Sequence, residues 1–188
     1  MQATLLKIYS LLLADPGHPA AGDWPGLSAE ISRLPEGPAR RALSGFLHAA
    51  FERPKIQLRE MYTGAFVLSP ATTLNMTYHL WGDTEKRAQA LVRLQQVYLD
   101  AGYEPLTGEL PDHLPLMLEF LGACPEARGA DRIWESLAGL EGLVERLRPT
   151  APMYADLLHP LVGVWQAHAG EKETAASEVK GDCHGPGL

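Results

Sequence analysis

Apolar side chains recur every three or four positions along this chain, and proline or glycine breaks the rhythm again and again. Leu5, Ile8, Tyr9 and Leu12 form the first stripe, which Asp15-Pro16-Gly17 stops. Leu27, Ile31 and Leu34 form a shorter one. Pro38 suits the first turn of the next helix, where the N–H it lacks would have no partner, and that helix packs through Leu43, Phe46, Leu47 and Ala50. Pro54 opens a segment with Leu58, Met61, Tyr62, Ala65 and Phe66 on one face, and Ser69-Pro70 breaks it. Strand-like alternation of polar and apolar residues is absent throughout. The pattern predicts an all-α chain, a single-domain bundle of about nine helices joined by short loops.

The central third carries the most punctuation. Leu74, Thr77, Tyr78 and Trp81 predict a short helix ending at Gly82, a residue free to take positive φ. Asp83 is placed to cap the next helix, with Glu85 in its first turn and Ala88, Leu91, Leu94 and Tyr98 facing inward. After a loop over residues 106–109, Asp112 is placed to cap a further helix with Pro115 in its first turn. Leu114, Met117, Leu118 and Leu121 form its apolar face. Leu116 and Phe120 leave little polar surface, so this helix should be central to the core. One longer helix is expected over residues 129–148; Gly139 and Gly142 weaken it by roughly 1 kcal/mol each relative to alanine, which suggests close helix packing. The last helix spans residues 152–168 with Pro160 inside it. Residues 1–169 then form the helical domain, and residues 170–188, with almost nothing to bury, are expected to be a disordered tail.

A chain of 188 residues suits one domain with a sizeable core. The net charge of −7 argues against nucleic acid and favours a basic partner. Cys124 and Cys183 stand far apart with no CxxC, which fits a reducing compartment. No signal peptide and no apolar run of ~20 residues is visible, so the expectation is a cytoplasmic protein without direct membrane insertion.

Phosphate-cradling loops, dinucleotide fingerprints, the GxSxG elbow and HExxH are all absent. Glu109, Asp112 and His113 are the nearest approach to a hard-metal or acid–base cluster, and capping with solvent exposure is the simpler account of them. Glu119 lies on a nearly all-apolar helix, either facing solvent or held at a groove for a partner's cation. Tyr62, Phe66, Tyr78 and Trp81 are an aromatic set that serves either as core or as a platform. An acidic helical domain with such a junction fits a helix-in-groove peptide binder better than an enzyme.

The run YHLWGDTEKRAQALVRLQQVYLDAG, followed by ELPDHLPLMLEFL, resembles the NarJ family of respiratory nitrate reductase delta subunits, relatives of the TorD/DmsD-type chaperones of molybdoenzymes. The matching positions are Tyr78, His79, Gly82, Asp83, Arg87, Ala90, Leu91, Tyr98, Gly102, Glu109, Leu110, Pro111, Asp112, His113, Leu114, Pro115, Leu118, Glu119 and Phe120. Thr63-Gly64-Ala65-Phe66-Val67 departs from the family's Val-Glu-Thr-Phe-Asp, and Ala88 stands where the family has glycine. The resemblance implies a TorD/NarJ-like fold and a non-enzymatic chaperone with no cofactor or metal of its own. Its implied partner is the apo catalytic subunit of a molybdoenzyme, bound by an N-terminal peptide and held for molybdenum cofactor insertion. Molybdenum cofactor biosynthesis proteins are implied as further partners. The candidate partner-binding residues are Tyr62, Phe66, Tyr78, His79, Trp81, Asp83, Arg87, Tyr98, Glu109, Asp112, His113 and Glu119. Two alternatives stand beside this: a permanent structural subunit of an oxidoreductase complex, and a metal-dependent hydrolase using Glu109, Asp112 and His113.

Overall fold

The protein is described by a computed structural model over residues 1–17, 24–105 and 108–181. Among the described residues ten α-helices follow one another: α1 (Gln2–Leu12), α2 (Trp24–Ser32), α3 (Pro38–Phe51), α4 (Lys55–Tyr62), α5 (Met76–Trp81), α6 (Glu85–Asp100), α7 (Leu114–Ala123), α8 (Ala130–Ser136), α9 (Leu140–Leu147) and α10 (Pro152–Gly181). A π-helical turn, Thr63–Val67, continues α4, and a 3₁₀ turn, Pro70–Thr72, precedes α5. Among the described residues the extended pairing is confined to one antiparallel bridge, between Asn75 and His113. The chain is a single all-α domain, as the spacing predicts.

Helix α7 is the axis. Leu114, Leu116, Met117, Leu118, Phe120 and Leu121 are all buried, and Glu119 alone of that run reaches the surface. Helix α1 lies along α7, while α10 packs against α3 and α9. A second knot of the core is aromatic. The Tyr154 ring of α10 meets Phe46, Tyr62 and Phe66 at centroid distances of 5.4, 6.3 and 4.7 Å. Such tilted pairs add about 0.5–1.5 kcal/mol each beyond their burial, so they hold α3, α4 and the π turn on α10.

The structure departs from the spacing in two places. Where one helix is expected over residues 129–148, a 3₁₀ turn, Leu137–Gly139, separates α8 from α9. That turn ends on the close approach that the glycine suggests: a Cβ at Gly139 would stand 2.7 Å from the Cβ of His79. The second departure is α10. Residues 170–181, expected to be disordered, continue the helix to Gly181. Lys172 Nζ lies 3.0 Å from Asp131 and 3.5 Å from Glu135 on α8, which ties the extension down. Charge and the helix preference of Glu, Lys and Ala carry it, so apolar periodicity gives no sign of it. The rest of the expected tail, residues 182–188, lies outside the described residues.

Candidate functional site

The two motifs of the central third meet face to face. Met76 N–H donates to the Asp112 carbonyl at 2.9 Å, and Leu114 N–H donates to the Leu74 carbonyl at 2.9 Å. The Asp112 side chain is fully buried and turns away from its own helix. Its Oδ2 accepts from the Thr77 N–H at 3.2 Å and from the Thr77 hydroxyl. Asp112 therefore caps α5, across 35 positions of chain, and not α7 as expected. The amides of a helix's first turn have no partner within the helix, and the bridge delivers Asp112 to those of α5.

Arg87 closes this hub. Its Nη2 stands 3.6 Å from Asp112 Oδ2, an ion pair longer than a hydrogen bond, and its guanidinium covers the Tyr78 ring at 5.6 Å. Tyr98, fully buried, donates its hydroxyl to the Pro111 carbonyl at 2.7 Å. Asp83 is not a cap either. Thr84 holds that position in extended conformation, with its hydroxyl donating to the Trp81 carbonyl at 2.9 Å. Asp83 is 95% exposed and 3.9 Å from Arg87 Nη1. Gly82, at φ 58°, makes the turn between α5 and α6, and its positive φ is as expected.

His79 clasps α9. Its Nε2 is 2.7 Å from the Thr73 carbonyl, so that nitrogen carries the proton, and Nδ1 accepts from Arg146 at 2.8 Å. Arg146 also donates from Nε to the Ala71 carbonyl at 2.7 Å. Burial chiefly holds the His79 pKa below its ordinary value; Arg146 lowers it further, against the opposing pull of the Thr73 bond and of Asp112.

Outside the hub lies a cleft of ≈130 Å³, bounded by Ser10, Leu11, Ala14 and Asp15 at the end of α1, by Tyr62, by Glu109 and His113, and by Pro115, Leu116 and Glu119 of α7. Leu11, Ala14, Tyr62, Pro115 and Leu116 make its interior apolar, and Asp15, Glu109 and Glu119 set three exposed carboxylates around it. Burial raises the Tyr62 phenol, and the charges of Asp15 and Glu109 raise it further. The His113 imidazole is held below its ordinary pKa by burial, with Glu109 and Asp112 pulling the other way. A neutral His113 thus leaves the cleft's charge negative.

The cleft gathers Tyr62, Glu109, His113 and Glu119 of the expected set. The hub takes Tyr78, His79, Arg87, Tyr98 and Asp112 into structural contacts. Phe66 packs in the aromatic core against Tyr154 and is not part of the cleft lining, and Tyr98 is fully buried. Trp81 lines a different pocket, between α6 and α8. The trio of Glu109, Asp112 and His113 is split, because Asp112 faces α5. Among the described residues no group of three or more His, Cys, Asp or Glu side chains is placed to hold a metal. Missed from sequence are Asp15 and Leu11, which show locally only as a helix stop and an exposed stripe position, and Arg146, whose role depends on the fold of α9 against α5.

A family model described as nitrate reductase delta subunit matches residues 34–151. The Bacillus subtilis protein named "Probable nitrate reductase molybdenum cofactor assembly chaperone NarJ" is 30% identical over 172 residues, 91% of this chain and 92% of that one. The Escherichia coli K12 "Nitrate reductase molybdenum cofactor assembly chaperone NarJ" is 31% identical over 157 residues, 82% of this chain and 66% of that one. The Mycobacterium tuberculosis "Nitrate reductase-like protein NarX" is 32% identical over 119 residues, 63% of this chain and 18% of that one.

Proposed function

Because this chain belongs to the nitrate reductase delta subunit family, we propose that it is a non-catalytic assembly chaperone. On this proposal it binds the N-terminal segment of the catalytic subunit of a respiratory nitrate reductase or related molybdoenzyme. It holds that apoenzyme in the cytoplasm for molybdenum cofactor insertion and meets cofactor biosynthesis proteins there. The observation that carries the reading is the cleft, apolar within and edged by Asp15, Glu109 and Glu119. Its ≈130 Å³ is well under the ~300 Å³ at which small-molecule pockets begin, so it suits one anchoring side chain of a longer segment. A helical peptide would lay its apolar stripe along Leu11 and Leu116 and set a lysine or arginine among the carboxylates. Charge would steer the encounter, and apolar burial would supply most of the affinity.

Calorimetry tests this with the purified protein and a peptide of about 15–30 residues from the start of the catalytic subunit, long enough for a helix in a groove. Binding should need no added cofactor or metal and carry a negative heat-capacity change. Glu109→Gln with Glu119→Gln should weaken it about tenfold, roughly 1.4 kcal/mol, while the melting temperature stays put, because both side chains are exposed and a glutamine at 119 still offers an oxygen to the Tyr103 hydroxyl that Glu119 bonds. Silence with both the peptide and the intact apo-subunit would sink the chaperone reading. Binding that ignores the double change would move the site away from the cleft.

A further inference from the structure

Three carboxylates surround the acidic cleft, and none of the residues lining it is a lysine or an arginine. One cation nevertheless rests at its edge. Arg59 of α4 stands three positions before Tyr62, which lines the cleft, and residues at that spacing are neighbours on a helix surface. The Arg59 guanidinium lies against Gly17: Nε is 2.6 Å and Cζ 3.0 Å from the point where a Cβ on that glycine would stand. Asp15 Oδ1 is 3.1 Å from the same point, so Arg59 and the cleft's Asp15 flank Gly17 together. A side chain at position 17 could not occupy that point with Arg59 in place, so the glycine is what lets the guanidinium come in.

The two charges differ in how firmly they are held. The Asp15 carboxylate is fixed by the Gly17 N–H, which donates to Oδ1 at 2.7 Å. Arg59 is exposed, and among the described residues no hydrogen bond or ion pair holds it. Arg40, Arg87 and Arg148, by contrast, each pair with a carboxylate of the protein. Arg59 thus stands well inside the ~10 Å over which charges act at 0.1 M salt, on a long stem that is free to turn away. We propose that Arg59 is a resident counter-cation of the cleft, lying beside Asp15 while the cleft is empty and swinging out to solvent when a partner's lysine or arginine arrives. The proposal rests on the peptide reading for its natural ligand and adds a regulation to it. A lone cation must compete with one already present, whereas a segment that also buries an apolar side chain prevails. Arg59 therefore sets the cleft against stray basic ligands and in favour of long amphipathic ones.

The test titrates the full chain with N-acetyl-argininamide, a single guanidinium on a neutral backbone, and follows the amides around the cleft by NMR. Arg59→Gln should tighten binding of this probe about three- to fivefold, the worth of one exposed ion pair. Gly17→Ala should tighten it too, because the new Cβ evicts the guanidinium without changing the net charge. Lys55→Gln removes the same charge one helical turn farther from Tyr62, about 6 Å along the axis, and should have a clearly smaller effect. In an Asp15→Asn background Arg59→Gln should lose its effect, a coupling that a merely structural role of Arg59 would not produce. Melting curves identify any variant that has lost its fold, and Arg59→Gln, at an exposed position, keeps the outcome decisive if Gly17→Ala does. Failure of the probe to bind wild type and Arg59→Gln alike, equal effects of Arg59→Gln and Lys55→Gln, or an Arg59→Gln effect that survives Asp15→Asn overturns the proposal. A peptide that stays unbound while the probe behaves as described sinks the peptide reading and leaves the role of Arg59 standing, so the two fail separately.

Discussion

Asp112 and Glu109 stand three positions apart in one motif and meet opposite surroundings. Asp112 is fully buried, accepts two bonds from Thr77 and faces Arg87. Glu109 is exposed at the rim of the cleft, and among the described residues no hydrogen bond or ion pair holds it. The same chemical group thus does two kinds of work. In the hub its charge is already spent on the fold; at the cleft it is free for a partner. The same contrast divides the histidines: His79 is locked between Thr73 and Arg146, and His113 lines the cleft.

The largest expected effect strikes the hub. Asp112→Ala removes the cap of α5 and leaves Arg87, whose side chain is 14% exposed, without its buried partner. Breaking a buried pair by deleting one member costs about 3–5 kcal/mol, a large share of a domain's total stability. Thermal or urea unfolding should show that loss. Glu109→Ala should leave the unfolding curve where it is. Similar losses in the two variants would erase the distinction between hub and cleft.

The histidines sharpen it further. Both have folded-state pKa values depressed below the ordinary 6.5, so the unfolded chain binds more protons as pH falls. Stability is full above about pH 6.5, begins to fall there, and keeps falling until the folded-state pKa values are reached. His79→Gln should flatten the fall in melting temperature on acidification and leave the pH dependence of peptide affinity alone. His113→Gln should flatten both, because protonated His113 would add a cation to the site meant for the partner's own. An affinity profile altered by His79→Gln would mean that the hub and the cleft are one unit.

How much of this was legible follows the same line. Helices with local apolar stripes, α1, α3 and α7, are written in spacings of three and four, and the centrality of α7 follows from Leu116 and Phe120 filling its polar face; in α6 the stripe holds only at its C-terminal end, where Leu94, Val97 and Tyr98 are buried, while Ala88, expected inward, is exposed. Gly139 gave a true sign of close approach, though not that His79 would be what approaches. Asp112 looked like the cap of its own helix because local spacing knows only the next turn. Its actual amide lies 35 positions away, and only the register of the Asn75–His113 bridge selects it. Asp15 joins Glu109 and Glu119 for a comparable reason: α1 lies along α7, and no pattern within α1 states which residues of α7 it meets. Buried charge and shared clefts are pairings between distant segments, and periodicity carries no information about them.

The smallest effect is expected from Asp83. It belongs to the dense Trp81-Gly82-Asp83 motif and was placed to cap α6, which would make Asp83→Ala cost about 1 kcal/mol. In the fold Thr84 occupies the cap position and Asp83 is 95% exposed, its one charged neighbour being Arg87 at 3.9 Å. Exposed pairs of this kind are worth about 0–1 kcal/mol, and Arg87 keeps Asp112 on its buried side when Asp83 is gone. Asp83→Ala should therefore shift the melting temperature by no more than a degree or two, given that 1 kcal/mol moves a domain of this size by about 2–4 °C. Raising the salt should shrink even that difference, because an exposed pair is screened and the buried Arg87–Asp112 pair is not. A loss as large as that of Asp112→Ala would place Asp83 inside the hub, with Arg87 held from both sides at once.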